Sequence, residues 1–402
     1  MLPLPALLLI APTVSGFVRS APKLPSVKPC LPLSLSHADP LTSTGTVASP
    51  DPPERWASHA LLFSSLNDGV IPNEAARSFL RYSLTNALLR ERIIKNEDRL
   101  KSSVKFSPCN GPNMDALERL DLVDELHARG QAFSANDFDN NDQVNSWTNE
   151  VLNHLLSNSK CDINVRILYI PTAMYALNPQ SSSTPGKQRQ RARSDGKKRR
   201  TQLLKLLGEL LSLENSLQPN LLATTLDLDD GSLKQPVGSE DTSLFPENDR
   251  AALSTWHPHL IYVEGGNTFW LQHCIEKGGP QDTAGGGYSA LLKDAICTGS
   301  QIEAVFMGKS AGAIIAGDNV ATATWKGWDD PSVGFFKDYS GLGLAGNRSF
   351  FPHMSDDWND LVKEKMQSHS IKAIVCLREE DVYCIAGGKK LSFSAAGPKP
   401  PL

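Results

Sequence analysis

The chain has 402 residues, 40% of them hydrophobic and 21% charged, which excludes a disordered polymer and fits a globular protein. A formal charge of −4 and an isoelectric point near 6.2 exclude a general attraction to nucleic acid or to an anionic membrane. The seven cysteines are odd in number, scattered and without a C-x-x-C pair. That pattern speaks against a disulfide framework and a structural zinc site.

Leu2 to Ala11 is apolar but far below the roughly 18 to 20 residues of a membrane-spanning helix. Small residues follow at Val14-Ser15-Gly16, and Phe17 to Ala38 is basic, serine-rich and free of acids. This order resembles the two-part presequence of algae with secondary plastids, with Ser15-Gly16-Phe17 and Ala21-Pro22 at its cleavage motif. A secretory signal is the alternative. Either reading sets residues 1–55 apart as targeting segment and linker. It leaves 56–402 as one domain with long insertions at about 76–160 and 178–250.

The run Ala60-Leu61-Leu62-Phe63 reads as a first buried strand, closed by the loop Ser65 to Gly69. Ala75 to Leu100 has apolar residues at helical spacing, and so has Val144 to Leu156, with Val144, Trp147, Val151 and Leu155 on one face. Val165 to Ile170, stopped by Pro171, reads as a second strand. Asn178 to Arg200 is poor in apolar residues and rich in Ser, Pro, Gln, Lys and Arg, so it reads as a disordered insertion. Its basic run, Lys187 to Arg200, lacks the interleaved aromatics of a single-strand binder and reads as solvated. Thr201 to Leu217 follows as an amphipathic helix, and Asp227 to Asp249 as an acidic loop.

From Pro258 the pattern becomes regular. His259 to Val263 is a strand leading into Gly265-Gly266-Asn267-Thr268 and a helix from Phe269 to Lys277. Tyr288 to Thr298 is a helix, Ile302 to Met307 a strand, and Ala313 to Ala316 opens another helix. Strands alternating with helices predict an α/β fold, a mostly parallel sheet with helices on both faces.

Gly308-Lys309-Ser310-Ala311-Gly312 lies where that last strand meets its helix, and it fits G-x-S-x-G, the strained strand-to-helix turn that exposes a nucleophilic serine. Unpaired N–H groups and the positive end of the helix dipole converge there, and they would stabilise a developing oxyanion. The N–H of Ala311 is one donor, and the glycine pair Gly265-Gly266 is the candidate second. An activated serine needs a base and an orienting acid. Two histidines follow Ser310; His353 ends an apolar strand at Pro352, whereas His369 sits in a polar stretch. His353 is therefore the better base. Asp318, Asp329, Asp330 and Asp338 lie between the serine and His353, and Trp328-Asp329-Asp330-Pro331 stands out for its rigid neighbours.

Taken together, Gly265-Gly266-Asn267-Thr268-Phe269, Gly308 to Ala313, the Asp-rich turn before Pro331 and Phe351-Pro352-His353 resemble peptidase family S51: peptidase E (α-aspartyl dipeptidase) and its cyanophycinase relatives. The resemblance covers roughly half of the chain, chiefly Pro258 to Gly388. It implies a fold like that of class I glutamine amidotransferases and acyl transfer to water by a serine triad. No metal or organic cofactor is required, and the implied partner is a small peptide with N-terminal aspartate. It maps the nucleophile to Ser310, the base to His353, the oxyanion donors to Gly266 and Ala311, and the acid to Asp329, with Asp330 as fallback. Asn267 and Thr268 favour the dipeptidase branch. Candidate cations for a substrate carboxylate are Lys309, Lys326 and Arg348.

Departures from the family pattern are Glu264 in place of the first loop glycine, Lys309 before the serine, and a far longer segment between the first two strands. An α/β-hydrolase esterase shares the elbow and the order Ser, Asp, His, but no H-G-G-G loop appears. A binding protein with a drifted triad on the same scaffold is the non-enzymatic alternative. Oligomeric state is not legible in the sequence.

Overall fold

The computed structural model describes residues 56–395 apart from 67–69, 105–113, 158–162, 214–216, 279–286, 300–302, 335–337, 369–370, 372 and 388–390. The targeting segment expected up to Arg55, and His369, lie outside the described residues. Five parallel strands make the centre of one sheet: β1 (His59–Phe63), β2 (Asn164–Ile170), β3 (Asn220–Asp227), β5 (Leu260–Val263) and β6 (Val305–Lys309), in the order β1-β6-β5-β2-β3. Antiparallel pairs finish both edges. β4 (Ser232–Val237) lies on β3, while β9 (Val382–Ala386) lies on β1 and carries β10 (Leu391–Ala395). A separate parallel pair is formed by β7 (Arg348–Phe351) and β8 (Ala373–Cys376).

The central strands read as near-continuous apolar runs because both of their faces are covered. Side chains alternate between two cores. On β1, Ala60 and Leu62 enter one core while Leu61 and Phe63 enter the other; on β5, Ile261 and Val263 oppose Leu260 and Tyr262. The first core is completed by α7 (Thr268–Lys277), α8 (Tyr288–Ile296) and α9 (Ala311–Ala316), through residues such as Phe269, Leu292 and Ile315. The second is completed by α1 (Glu74–Val104), α4 (Asp142–Ser157) and α5 (Pro185–Leu211), through Phe79, Trp147 and Leu203. Burying each such side chain contributes about 1.5–3 kcal/mol. Between α1 and α4 lie α2 (Met114–Gln131) and α3 (Ala135–Asp139), and α6 (Asp249–Ser254) precedes β5. Asn73 precedes α1, and its Oδ1 accepts the Ala76 N–H at 2.8 Å, a cap for an otherwise unpaired donor.

From Pro185 onward, the segment expected to be disordered (Asn178 to Arg200) is instead the first half of α5. Thr184 caps this helix, Pro185 stands in its first turn, and Gly196 and Arg200 are buried. Its basic side chains point to partners: Arg193 to Asp227 and Asp230, Arg199 to Glu264, Arg200 to Thr225. The expected acidic loop contains β4 and the end of β3, with Lys234 closing on Asp227 at 2.5 Å. Among the described residues no helix is long and apolar enough to cross a membrane.

Parallel pairing puts the carboxyl ends of the central strands on one edge, where α/β sheets place their sites. Phe63 lies beside Lys309, Val263 beside Gly308, and Ile170 beside Val263. Ser64, Glu264-Gly265 and Ser310 therefore emerge together.

Candidate active site

Ser310 occupies the turn between β6 and α9 with φ 47° and ψ −105°, a conformation that side chains other than glycine rarely adopt. Its N–H donates to Phe63 O at 2.9 Å, and its carbonyl accepts from Ala313 and Ile314, both at 2.9 Å. The flanking glycines allow this tight passage. A Cβ on Gly308 would stand 2.4 Å from Gly312 O, and one on Gly312 the same distance from Val263 O. The helix following Ser310 starts at Ala311, so the Ala311 N–H belongs to the unpaired group at its N-terminus.

His353 lies two residues beyond β7, with φ 56°. Its Nε2 is 3.0 Å from the Ser310 Oγ and its Nδ1 is 2.6 Å from Glu379 Oε1. Both ring nitrogens are thereby engaged, and Asp329 engages neither. Glu379 follows β8 in the stretch Leu377-Arg378-Glu379, and its second oxygen accepts from Ser65 Oγ. Burial pushes the Glu379 carboxyl up, but hydrogen bonds from Ser65 and His353, with the charges of His353 and Lys326, outweigh it and hold the group below its usual range. An ionised Glu379 accepts from Nδ1–H, which leaves the Nε2 lone pair facing the serine hydroxyl. An imidazole so placed can take a proton from the hydroxyl.

Asp329, expected beside the histidine, stands at the start of α7. Its Oδ2 accepts the Thr268 N–H at 2.8 Å, a carboxylate on a helix N-terminus. Burial raises its pKa, with the Thr268 bonds opposing. Asp330 is turned to solvent and binds Ser332. Asn267 caps α7 through Oδ1, which accepts the Trp270 N–H at 2.8 Å, so its side-chain acceptor serves the helix. Thr268 is buried in the first turn of the same helix. Gly266 has φ 153°, and a Cβ there would lie 2.2 Å from Ala173 O, so the loop admits only glycine at this point.

A cavity of about 250 Å³ adjoins Ser310 and His353. Gly266, Ile314 and Phe351 line it, together with two oppositely charged side chains, Lys326 and Asp329. Of the other cations considered, Lys309 pairs with buried Glu264 at 3.3 Å. Arg348 stacks on Trp56 at 5.2 Å and donates to Ala345 O. Glu264, the departure from the glycine pattern, also accepts from Arg199 at 3.0 Å and from Tyr169, and it takes the Gly265 N–H at 3.2 Å. It anchors the glycine loop to α5.

Residues 243–392 match the model of peptidase family S51. Over this stretch the chain is similar to peptidase family S51. The match supports a peptidase reading, and its span contains Gly266, Ser310, His353 and Glu379. The chain is also similar to a solved structure of a candidate peptidase E protein from Listeria monocytogenes EGD-e. The two are 18% identical with a TM-score of 0.35, over 62% of this chain and 95% of that one. No curated protein matches.

Glu379 is the residue that sequence order concealed. The stretch between Ser310 and His353 offers four aspartates, whereas Glu379 sits among Arg378, Glu380 and Asp381 in what reads as a solvated turn. Its one signal is its place three residues after an apolar run, Ala373 to Cys376, just past a strand end.

Proposed function

We propose that this chain is a serine peptidase of small peptides, with Ser310 as nucleophile, His353 as base and Glu379 as the acid that orients the base. The observation that carries this reading is the continuous hydrogen-bonded line from the Ser310 hydroxyl through the imidazole to Glu379. Ser310 Oγ attacks the scissile carbonyl carbon while its proton passes to His353 Nε2. The resulting oxyanion is held by the N–H groups of Ala311 and Gly266. The C–N bond breaks as His353 returns the proton to the leaving amine, and water repeats the sequence on the acyl-enzyme.

The substrates we infer are dipeptides, with N-terminal aspartate preferred. The small cavity supports a short acyl-side residue. Both signs of charge in its lining suit a zwitterionic end, Asp329 toward an α-ammonium and Lys326 toward a side-chain carboxylate. Labelling of Ser310 by a fluorophosphonate tests the mechanism; an unlabelled wild-type protein would overturn it. Turnover of Asp-Leu, Asn-Leu and Ala-Leu tests the preference. A kcat/KM for Asp-Leu about 10² above the others is expected, and equal values would remove the aspartyl assignment while leaving the nucleophile intact.

A further inference from the structure

Three non-glycine residues have positive φ among the described residues, and two of them are Ser310 and His353. Ser310 is fixed by the strand and helix that flank it. His353 stands past the end of β7, so its backbone needs other holds. One is Ser64, whose Oγ accepts the His353 N–H at 2.8 Å and donates to Leu377 O at 2.9 Å.

The other is Lys326. Its Nζ donates to Pro352 O at 2.9 Å and to the carbonyl of His353 itself. The ammonium sits over three aromatic faces, 4.5 Å from the Phe351 ring centre, 4.6 Å from Trp328 and 5.1 Å from Trp358. Trp328 in turn lies 5.9 Å from the imidazole. Cation–π attraction of this kind strengthens where water is displaced, and each carbonyl would lose a partner if the ammonium were removed. We propose that Lys326 is a positioning residue that locks the backbone of His353, and through it the imidazole, against Ser310. The proposal rests on the serine-peptidase reading.

A charged hold also gives a pH signature. Burial lowers the Lys326 ammonium to about 8, against the opposing influence of Glu379 and Cys376. Among the described residues these two, with His353 and with Asp329 of the same cavity lining, are titratable groups around it. The hold weakens as pH rises through that value, and an arginine, charged throughout, would not weaken.

The test is the rate of fluorophosphonate labelling of Ser310 in the wild type, Lys326→Met and Lys326→Arg, with kcat and KM on a small ester and a thermal melt for each. The ester and the probe carry no carboxylate, so a substrate-binding role of Lys326 would not register. Lys326→Met should lower labelling and kcat together, on the order of 10-fold to 10²-fold, with KM within about twofold. Lys326→Arg should restore most of the rate and remove the wild-type decline above pH about 8. A wild type that does not label refutes the serine reading itself. A wild type that labels while folded Lys326→Met labels equally fast refutes the positioning role alone. Should Lys326→Met not fold, an Arg variant with an unaltered alkaline decline overturns the proposal.

Discussion

Glu379 Oε1 lies 2.6 Å from His353 Nδ1, although 26 residues separate the two in the chain. The parallel pair β7–β8 makes this contact, because Phe351 registers with Cys376 and both strands then turn toward Ser310. Glu379→Gln should keep the fold and lower kcat by about 10² to 10⁴, through the wrong imidazole tautomer. Asp329→Asn should retain fluorophosphonate labelling within about tenfold and instead raise KM for unblocked dipeptides. If Asp329→Asn abolished labelling while Glu379→Gln did not, the acid would be reassigned to Asp329.

Gly266 lies where backbone meets backbone, so even a methyl group is excluded. Gly266→Ala must displace the Thr172–Tyr175 turn or rotate the loop, since its Cβ would lie 2.2 Å from Ala173 O. Loss of a single oxyanion donor lowers kcat by about 10² to 10³. The expected result is a folded protein with kcat reduced by that factor and labelling by an uncharged acylating probe slowed in parallel. Wild-type kcat in this variant would remove Gly266 from the hole.

The anchoring of the glycine loop to α5 predicts that the basic stretch is indispensable. Glu264 is 1% exposed and meets Arg199, Lys309 and Tyr169. Glu264→Leu strands Lys309 as a mostly buried cation, and breaking such a group costs about 3–5 kcal/mol, read as a lower urea midpoint. Arg199→Ala should cost far less, because the guanidinium is 40% exposed and Lys309 remains. Removing 185–200 should prevent folding, since it withdraws the buried Arg200 and Gly196. A soluble, cooperatively melting deletion variant would contradict this.

At the opposite end of β1, burial pushes the His59 imidazole down to about 4, with Arg90 adding to the effect and Glu303 opposing it. A group whose folded pKa is depressed contributes stability that is full above its unfolded value, about 6.5, and is lost as pH falls toward the folded one. The shift corresponds to roughly 3 kcal/mol. Thermal midpoints should therefore fall between pH 6.5 and 4, and His59→Asn should flatten that fall. An unchanged slope in a folded His59→Asn protein would show that other groups govern it.

The legible parts of the chain were those in which one apolar period decides the structure. β1, β2, β5 and β6 are buried on both faces, and α4 shows its face as Val144, Trp147, Val151 and Leu155. The elbow was legible too, because glycines on either side of Ser310 have a steric reason. What composition hid was α5. Its first half is held by Arg193, Arg199 and Arg200 reaching partners on β3 and after β5, and such pairing leaves no hydrophobic trace. β4 was hidden for a similar reason, as an edge strand carrying Lys234 and Pro236. Arg348 was misplaced because adjacency to the histidine strand does not say which way a side chain turns.

The positive φ angles of Ser310 and His353 carry a consequence for the history of such a chain. Strained positions of this kind cost of order 1–3 kcal/mol each, and glycine relieves much of that strain. Ser310→Gly and His353→Gly should therefore leave the thermal midpoint unchanged or raise it, while abolishing hydrolysis. A lineage relieved of selection for activity would find these two substitutions open to it without loss of fold. Loss of the serine and histidine in a descendant, with the rest of the edge preserved, would be the expected mark of retirement to a non-catalytic role.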